Sequence, residues 1–185
     1  MDKSVLISIR PEWCELIASG EKTIEVRKTR PKLETPFKCY IYCTVETAGY
    51  DALWVLDAPT REKYSFMAVS AYLENPKGAN KGNGKVIGEF TCERIVPITY
   101  DGGRLWCPTN AAFSPATCLS QAEIIAYIGD KGRCYGWHIS NLRIYDTPRD
   151  LGEFIGLRTM KNGFELRELD RPPQSWCYAL EDYHA

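Results

Sequence analysis

No stretch of this 185-residue chain contains the ~18–20 consecutive apolar residues that a membrane-spanning helix needs. Its first residues offer only the short patch Val5-Leu6-Ile7 and no secretory-signal pattern. The expectation is a cytoplasmic protein with no membrane partner. Cys-x-x-Cys pairs are also missing. Cys39 and Cys43 share a predicted strand face, but four residues at ~3.3 Å each set their Cα atoms about 13 Å apart, too far for one zinc ion. The same spacing disposes of Cys134 with His138. No metal and no other cofactor is therefore expected. The eight cysteines are scattered through a long chain, which favours reduced, mostly buried thiols over a disulfide framework.

An excess of either charge is lacking as well. Twenty-three Lys and Arg stand against 24 Asp and Glu, for a net charge of −1. A duplex gripped through many phosphates calls for a larger basic excess, so only a local basic patch remains open. Nucleotide motifs fail on inspection. In Gly78–Lys85, Ala79 stands where a phosphate loop needs its first glycine, and Val86 replaces the hydroxyl residue. There is no internal repeat.

What is present reads as one domain, residues 1–185. Val5–Ile9 is a predicted buried strand. Arg10-Pro11 then opens a helix over Pro11–Ser19, with Trp13, Leu16 and Ile17 on one face and Gly20 just past its end. Thr23–Lys28 and Phe37–Thr44 follow as strands. Residues 45–84 read as an insertion or lid, with Ala52–Leu56 a short strand or helical turn and Lys77–Lys85 a mobile loop. Lys85–Val96 is a strand in which Gly88 marks a bulge or a close approach. Pro97–Leu119 reads as irregular. Ser120 and Glu123 form a capping box for a helix running to Gly129. Cys134–Tyr145 is a long strand, Pro148–Gly156 a helical turn, and Phe164–Leu169 and Ser175–Leu180 are strands. Five or six strands with two short helices make a mainly β, α+β chain, and a small closed barrel would remove its edge strands.

The densest chemistry lies in Gly20–Lys28. Period two places Thr23, Glu25 and Arg27 on one strand face and Ile24 and Val26 on the other. The apolar face packs, and the charged face is expected to line something open. From Lys22 to Lys38 there are six Lys or Arg against two Glu, the strongest basic bias in the chain.

Ser8-Ile9-Arg10-Pro11-Glu12, Gly20-x-Lys22-x-x-Glu25-x-Arg27 and Pro173-Gln174-Ser175-Trp176 resemble the ASCH family of the PUA-like superfamily. Tyr40-Ile41-Tyr42, Ile87–Phe90 and Tyr135-Gly136-Trp137 add to the likeness, which spans the chain except about residues 45–83. The resemblance implies a PUA-like β-barrel with a cleft between barrel and helices, where RNA, nucleotides or modified bases bind. Some relatives deacylate an N-acetylated cytidine and some are reported as ribonucleases. In the deacylating branch the equivalent of Lys22 is catalytic, a threonine stands at the place of Glu25, and a further glutamate sits near the helix that Glu123 begins here. This chain departs from that branch at Glu25.

Two functional readings follow. In the first, the chain binds RNA or a nucleoside in a cationic cleft. Its candidate residues are Arg10, Lys22, Glu25, Arg27, Trp137, His138, Gln174, Ser175 and Trp176. Arg27 offers a bidentate fork to a phosphate or carbonyl, and Trp137 and Trp176 either stack on bases or fill the core. Gln174 reads a base edge or fixes its loop. His138 is a rim or core histidine unless it activates a cysteine. In the second, the chain is a small hydrolase using Lys22 with Glu25 or Glu123. Against both, Glu25 and Arg27 pair along one strand, and the cap already accounts for Glu123. A protein-interaction module is a third alternative. No oligomeric state follows from the sequence.

Overall fold

The structure is a computed structural model that describes residues 3–45, 52–57, 59–60, 68–70, 78–109 and 115–181. Among these residues one sheet dominates. Its strands are β1 (Ser4–Ile9), β2 (Ile24–Arg27), β3 (Phe37–Cys43), β7 (Val86–Asp101), β8 (Arg104–Trp106), β9 (Arg133–Arg149), β10 (Phe154–Met160), β11 (Gly163–Glu168) and β12 (Trp176–Glu181). They lie in the order β11-β10-β12-β1-β3-β7-β9-β2, with β8 paired to β7. The β1–β3 pair is parallel and the others are antiparallel. A second, three-stranded sheet has the order β5-β4-β6, from Ala68–Ser70, Ala52–Leu56 and Ala79–Lys81. Two complete helices lie among the described residues, α1 (Pro11–Ala18) and α2 (Gln121–Ile128). No helix of the described residues is long and apolar enough to cross a membrane.

The local signals read from the sequence form as expected. Pro11 stands at the start of α1, where its missing N–H is no loss. Gly20 takes φ +81° just past the helix, and its N–H donates to the Ile17 carbonyl. Ser120 and Glu123 cap α2 reciprocally. The core gathers Val5, Ile7, Ile9, Cys14, Ile17, Phe37, Ile41, Phe90 and Trp137, all buried. A second cluster seats Ile124 and Ile128 of α2 against Val96, Ile98 and Cys134. All eight cysteines are free, and six are buried.

The closed barrel is not found. β1 has β12 on one side and β3 on the other, so neither of its edges is open to β2. Thr23, just before β2, donates its N–H to the Ala116 carbonyl. The sheet therefore ends at β2 instead of closing on itself. Three further expectations are corrected. The first part of Pro97–Leu119 is not irregular: β7 runs on to Asp101, and its hairpin with β8 carries the pairing to Trp106, beyond which the described residues hold no strand before Leu119. The helical turn expected over Pro148–Gly156 is confined to Leu151–Glu153, and Phe154–Met160 after it is a strand paired with β11 and β12, with Phe154 buried against Tyr40. Lys77–Lys85 is not a mobile loop over its described residues. β6 pairs with β4, Gly82 N–H donates to the Leu53 carbonyl, and Gly84 N–H donates to the Cys43 carbonyl. One face of the small sheet joins the main core, since Leu53 and Val55 are buried in the main cluster. The rest of the expected insertion or lid, including residues 46–51 and 71–77, lies outside the described residues.

Gly88 is both bulge and close approach. The β7–β9 register shifts beside it, and a Cβ there would stand 2.4 Å from the Arg143 carbonyl oxygen and 3.1 Å from Ile144 Cα. Backbone on the facing strand cannot give way as a flexible side chain can. A Gly88→Ala substitution should therefore lower stability by about 1–3 kcal/mol in chemical denaturation, as overpacking does in a filled interior.

Candidate functional site

The charged face of β2 is turned inward, contrary to the open lining expected of it. Lys22 is 2% exposed and Glu25 6%. The position of Lys22 follows from the glycine stop: its N–H donates to the Leu16 carbonyl, which folds the chain back under α1. Its Nζ donates to the Thr117 carbonyl at 2.6 Å, lies 3.5 Å from Glu25 Oε2, and sits 5.1 Å from the Trp13 ring centroid. Glu25 Oε1 is 2.9 Å from Arg27 Nε, an ion pair whose geometry falls short of a hydrogen bond. Charges this deep are tolerable only when paired, because desolvation of an isolated one costs several kcal/mol.

Arg27 then reaches across the end of the sheet. One terminal nitrogen donates to the Ser8 carbonyl on β1 at 2.6 Å, and the other lies 3.4 Å from Ser175 Oγ. Ser8 is fully engaged there. Its N–H donates to the Ser175 carbonyl at 2.9 Å and its hydroxyl to the Pro173 carbonyl at 2.6 Å. Just beyond, Trp176 Nε1 donates to Thr29 Oγ1 at 3.0 Å. The gap between β2 and β1–β12, which no backbone ladder closes, is thus held by side chains.

The remaining candidates separate. Trp137 is wholly buried, edge-on to Phe37 with centroids 6.0 Å apart, so it packs the core. Trp176 is half-buried between Trp137 and Tyr178, with centroids at 6.1 and 5.5 Å. Arg10 is exposed, 3.8 Å from Glu12, and Gln174 is exposed. Glu123 is exposed on α2, accepting from both the hydroxyl and the N–H of Ser120, and these bonds hold its carboxyl below the usual range. His138 pairs in register with Ile24, and its Nε2 is buried without a partner. Cys134, four residues before His138 on β9, is in the α2 cluster, where burial pushes the thiol up to about 12. Burial likewise raises Cys14 and Cys39, and lifts Cys92 to about 12. Thiols so raised are inert as nucleophiles at neutral pH. Among the described residues no three His, Cys, Asp or Glu side chains are grouped to hold a metal ion.

The segment that follows β2 does open to solvent. Lys28, Arg30 and Lys32 are exposed, and a groove of about 730 Å³ is lined by Arg30, Pro31, Lys32, Leu33, Glu34, Thr35 and Ile95. Aromatic rings attend the cations. Lys28 Nζ is 5.1 Å from the Tyr127 centroid, and the Arg30 guanidinium carbon is 5.8 Å from that of Tyr135. Tyr178 Oη accepts from the Lys32 N–H at 2.7 Å, tying the loop to β12. The sequence signal for this groove was the basic bias of residues 22–38. The bias did not tell which of its cations face inward.

The ASCH domain family model matches residues 7–48, a segment that contains Ser8, Lys22, Glu25 and Arg27 of the buried network and the whole groove loop. The crystal structure of ASCH from Zymomonas mobilis is similar at 18% identity and a TM-score of 0.47, over 94% of this chain and 85% of that one. A Tyr-to-Phe mutant of the same protein aligns at 19% identity and a TM-score of 0.47, over 95% and 88%. No curated protein matches the chain.

Two outcomes follow. Glu25→Gln leaves the Lys22 charge buried opposite a neutral amide and should destabilise by about 3–5 kcal/mol, whereas Lys22→Met with Glu25→Gln should cost less than the sum of the single changes in a denaturation cycle. For His138, burial first and then Arg94 hold the imidazole below its ordinary 6.5, so the folded chain favours the neutral ring. That contribution is complete above pH 6.5 and is lost as pH falls through the lowered folded value. His138→Gln should accordingly flatten the fall of urea stability below that pH.

Proposed function

We propose that this chain binds single-stranded RNA, or a nucleoside-containing fragment of it, along the groove that follows β2. The observation that carries the reading is the groove itself, an open concavity with Arg30 and Lys32 in its wall and half-buried Tyr135, Trp176 and Tyr178 tied to its loop. Cations meet phosphates, and aromatic faces accept any unstacked base, which is how single strands are held without a duplex. The likeness to the ASCH family, expected from the motif and matched over residues 7–48, points to the same ligand class. The modest net charge of −1 suits a short contact with a few phosphates.

In this reading Lys22, Glu25 and Arg27 support the groove from behind. They fix the strand from which the loop departs and do not themselves meet the ligand. The hydrolase alternative has less support. A lysine that attacks or takes a proton needs a free lone pair, and Nζ here points at a carbonyl and a carboxylate.

Three phosphate contacts from Lys28, Arg30 and Lys32 give an expected slope of about −2 for log affinity against log salt with a single strand. Fluorescence anisotropy with a labelled oligoribonucleotide measures it. Arg30→Ala and Lys32→Ala should each lower affinity and reduce the slope by about 0.7. Binding that is independent of salt, or unmoved by either substitution, would overturn the assignment of the groove.

A further inference from the structure

The two ends of the large sheet differ. The β2 end is covered, since Thr23 N–H donates to Ala116 and the Pro115–Thr117 turn packs on it. The β11 end has no cover among the described residues, and all six of its residues are exposed. It presents an apolar pair, Phe164 at 46% and Leu166 at 63% exposure. Leu166 stands opposite Leu157, which stands opposite Tyr178, so an apolar stripe runs from the body of the sheet to this edge. An uncovered edge with an apolar face is a template for another strand.

We propose that β11 is a self-association edge, at which two copies of the chain pair antiparallel about a twofold axis through Leu166. Charge decides both the partner and the register. Met160 and Gly163 close a two-residue turn, and the pair that closes such a turn is the hydrogen-bonded one. Alternation then directs the backbone groups of Glu165 and Arg167 towards β10, and those of Phe164, Leu166 and Glu168 outward. Twofold pairing through these outward groups with the axis at Leu166 sets Glu165 opposite the partner's Arg167, twice by symmetry, and Leu166 opposite its own copy. A shift of the axis by one residue sets Glu165 against Glu165 or Arg167 against Arg167, and like charges directly opposite are unfavourable. In the favoured register Phe164 faces the partner's Glu168, beside the Lys3 ammonium that lies 3.3 Å from the Phe164 centroid. The present partner of Arg167, Asp170 at 3.7 Å, is an exposed pair that yields readily. Six residues a side make a small interface, of the weak and transient class.

Sedimentation velocity of the full chain at low ionic strength, up to about 300 µM, should show a reversible monomer–dimer equilibrium. Glu165→Arg alone and Arg167→Glu alone each set like charges opposite twice, and each should weaken the dimer by about tenfold. The two variants mixed in equal amounts should pair with each other and recover the wild-type affinity. Damage to either fold could not be repaired by mixing, and circular dichroism of each variant checks it directly. A wild-type chain that stays monomeric, single variants that dimerise as tightly as wild type, or a mixture that fails to recover affinity would each overturn the proposal. So would a monomeric chain that takes up an unrelated strand-forming peptide at this edge.

Discussion

The guanidinium of Arg27 does for this sheet what a last ladder of backbone hydrogen bonds does for a barrel. β1 is occupied on both sides, so the curl of β1-β3-β7-β9-β2 has no strand with which to close. Arg27 crosses the gap instead, from β2 to the Ser8 carbonyl and the Ser175 hydroxyl. Its planar, always charged fork suits the task better than an ammonium would. Glu25 holds the guanidinium from one side, and Lys22 balances Glu25 from the other. The chain thereby links α1, β2, the Thr117 segment, β1 and the 173–175 turn through three side chains. A network of this kind is weak evidence for stability taken as a whole, but each member is strongly needed once the others are buried.

That arrangement divides the work of the basic segment. Residues up to Arg27 satisfy one another inside the protein, and the cations after it face solvent. Thr29 and Lys32 are hydrogen-bonded to Trp176 and Tyr178 of β12, so the groove loop is anchored to the same strand that Arg27 approaches. Closure of the curl and presentation of the groove are therefore one structural event. Any ligand held by Arg30 and Lys32 rests on a loop tied at Thr29 and Lys32 to the half-buried rings of Trp176 and Tyr178.

The cysteines show the same economy of the interior. Cys14, Cys39, Cys43, Cys92, Cys107 and Cys134 fill narrow spaces between strands and helices. Desolvation disfavours the thiolates of Cys14, Cys39, Cys92 and Cys134, which suits small apolar fillers and not reactive groups. The small sheet behaves alike. It exists as a platform whose Leu53 and Val55 complete the main core, and its β4 lies against α1 and β9.

Local chemistry was legible in the residues themselves. Pro11 starts a helix and Gly20 stops it, Ser120 and Glu123 cap another, and alternation from Phe37 to Cys43 marks a buried strand. Each of these depends on neighbours within a few positions, and so does the basic bias after Lys22. Strands that depend on distant partners were harder to see. The start of Phe154–Met160 reads as the end of a helical turn and becomes a strand by lying between β11 and β12. The face of β2 shows the limit most clearly. Period two correctly separates Glu25 and Arg27 from Ile24 and Val26, but it cannot say that both faces are covered. That was decided by Thr117, 95 residues from Lys22, and by Ser175, 148 residues from Arg27. A sequence states which charges share a face. Only the packed chain determines whether that face meets water or the rest of the protein, because burial is a property of all the elements that gather around it.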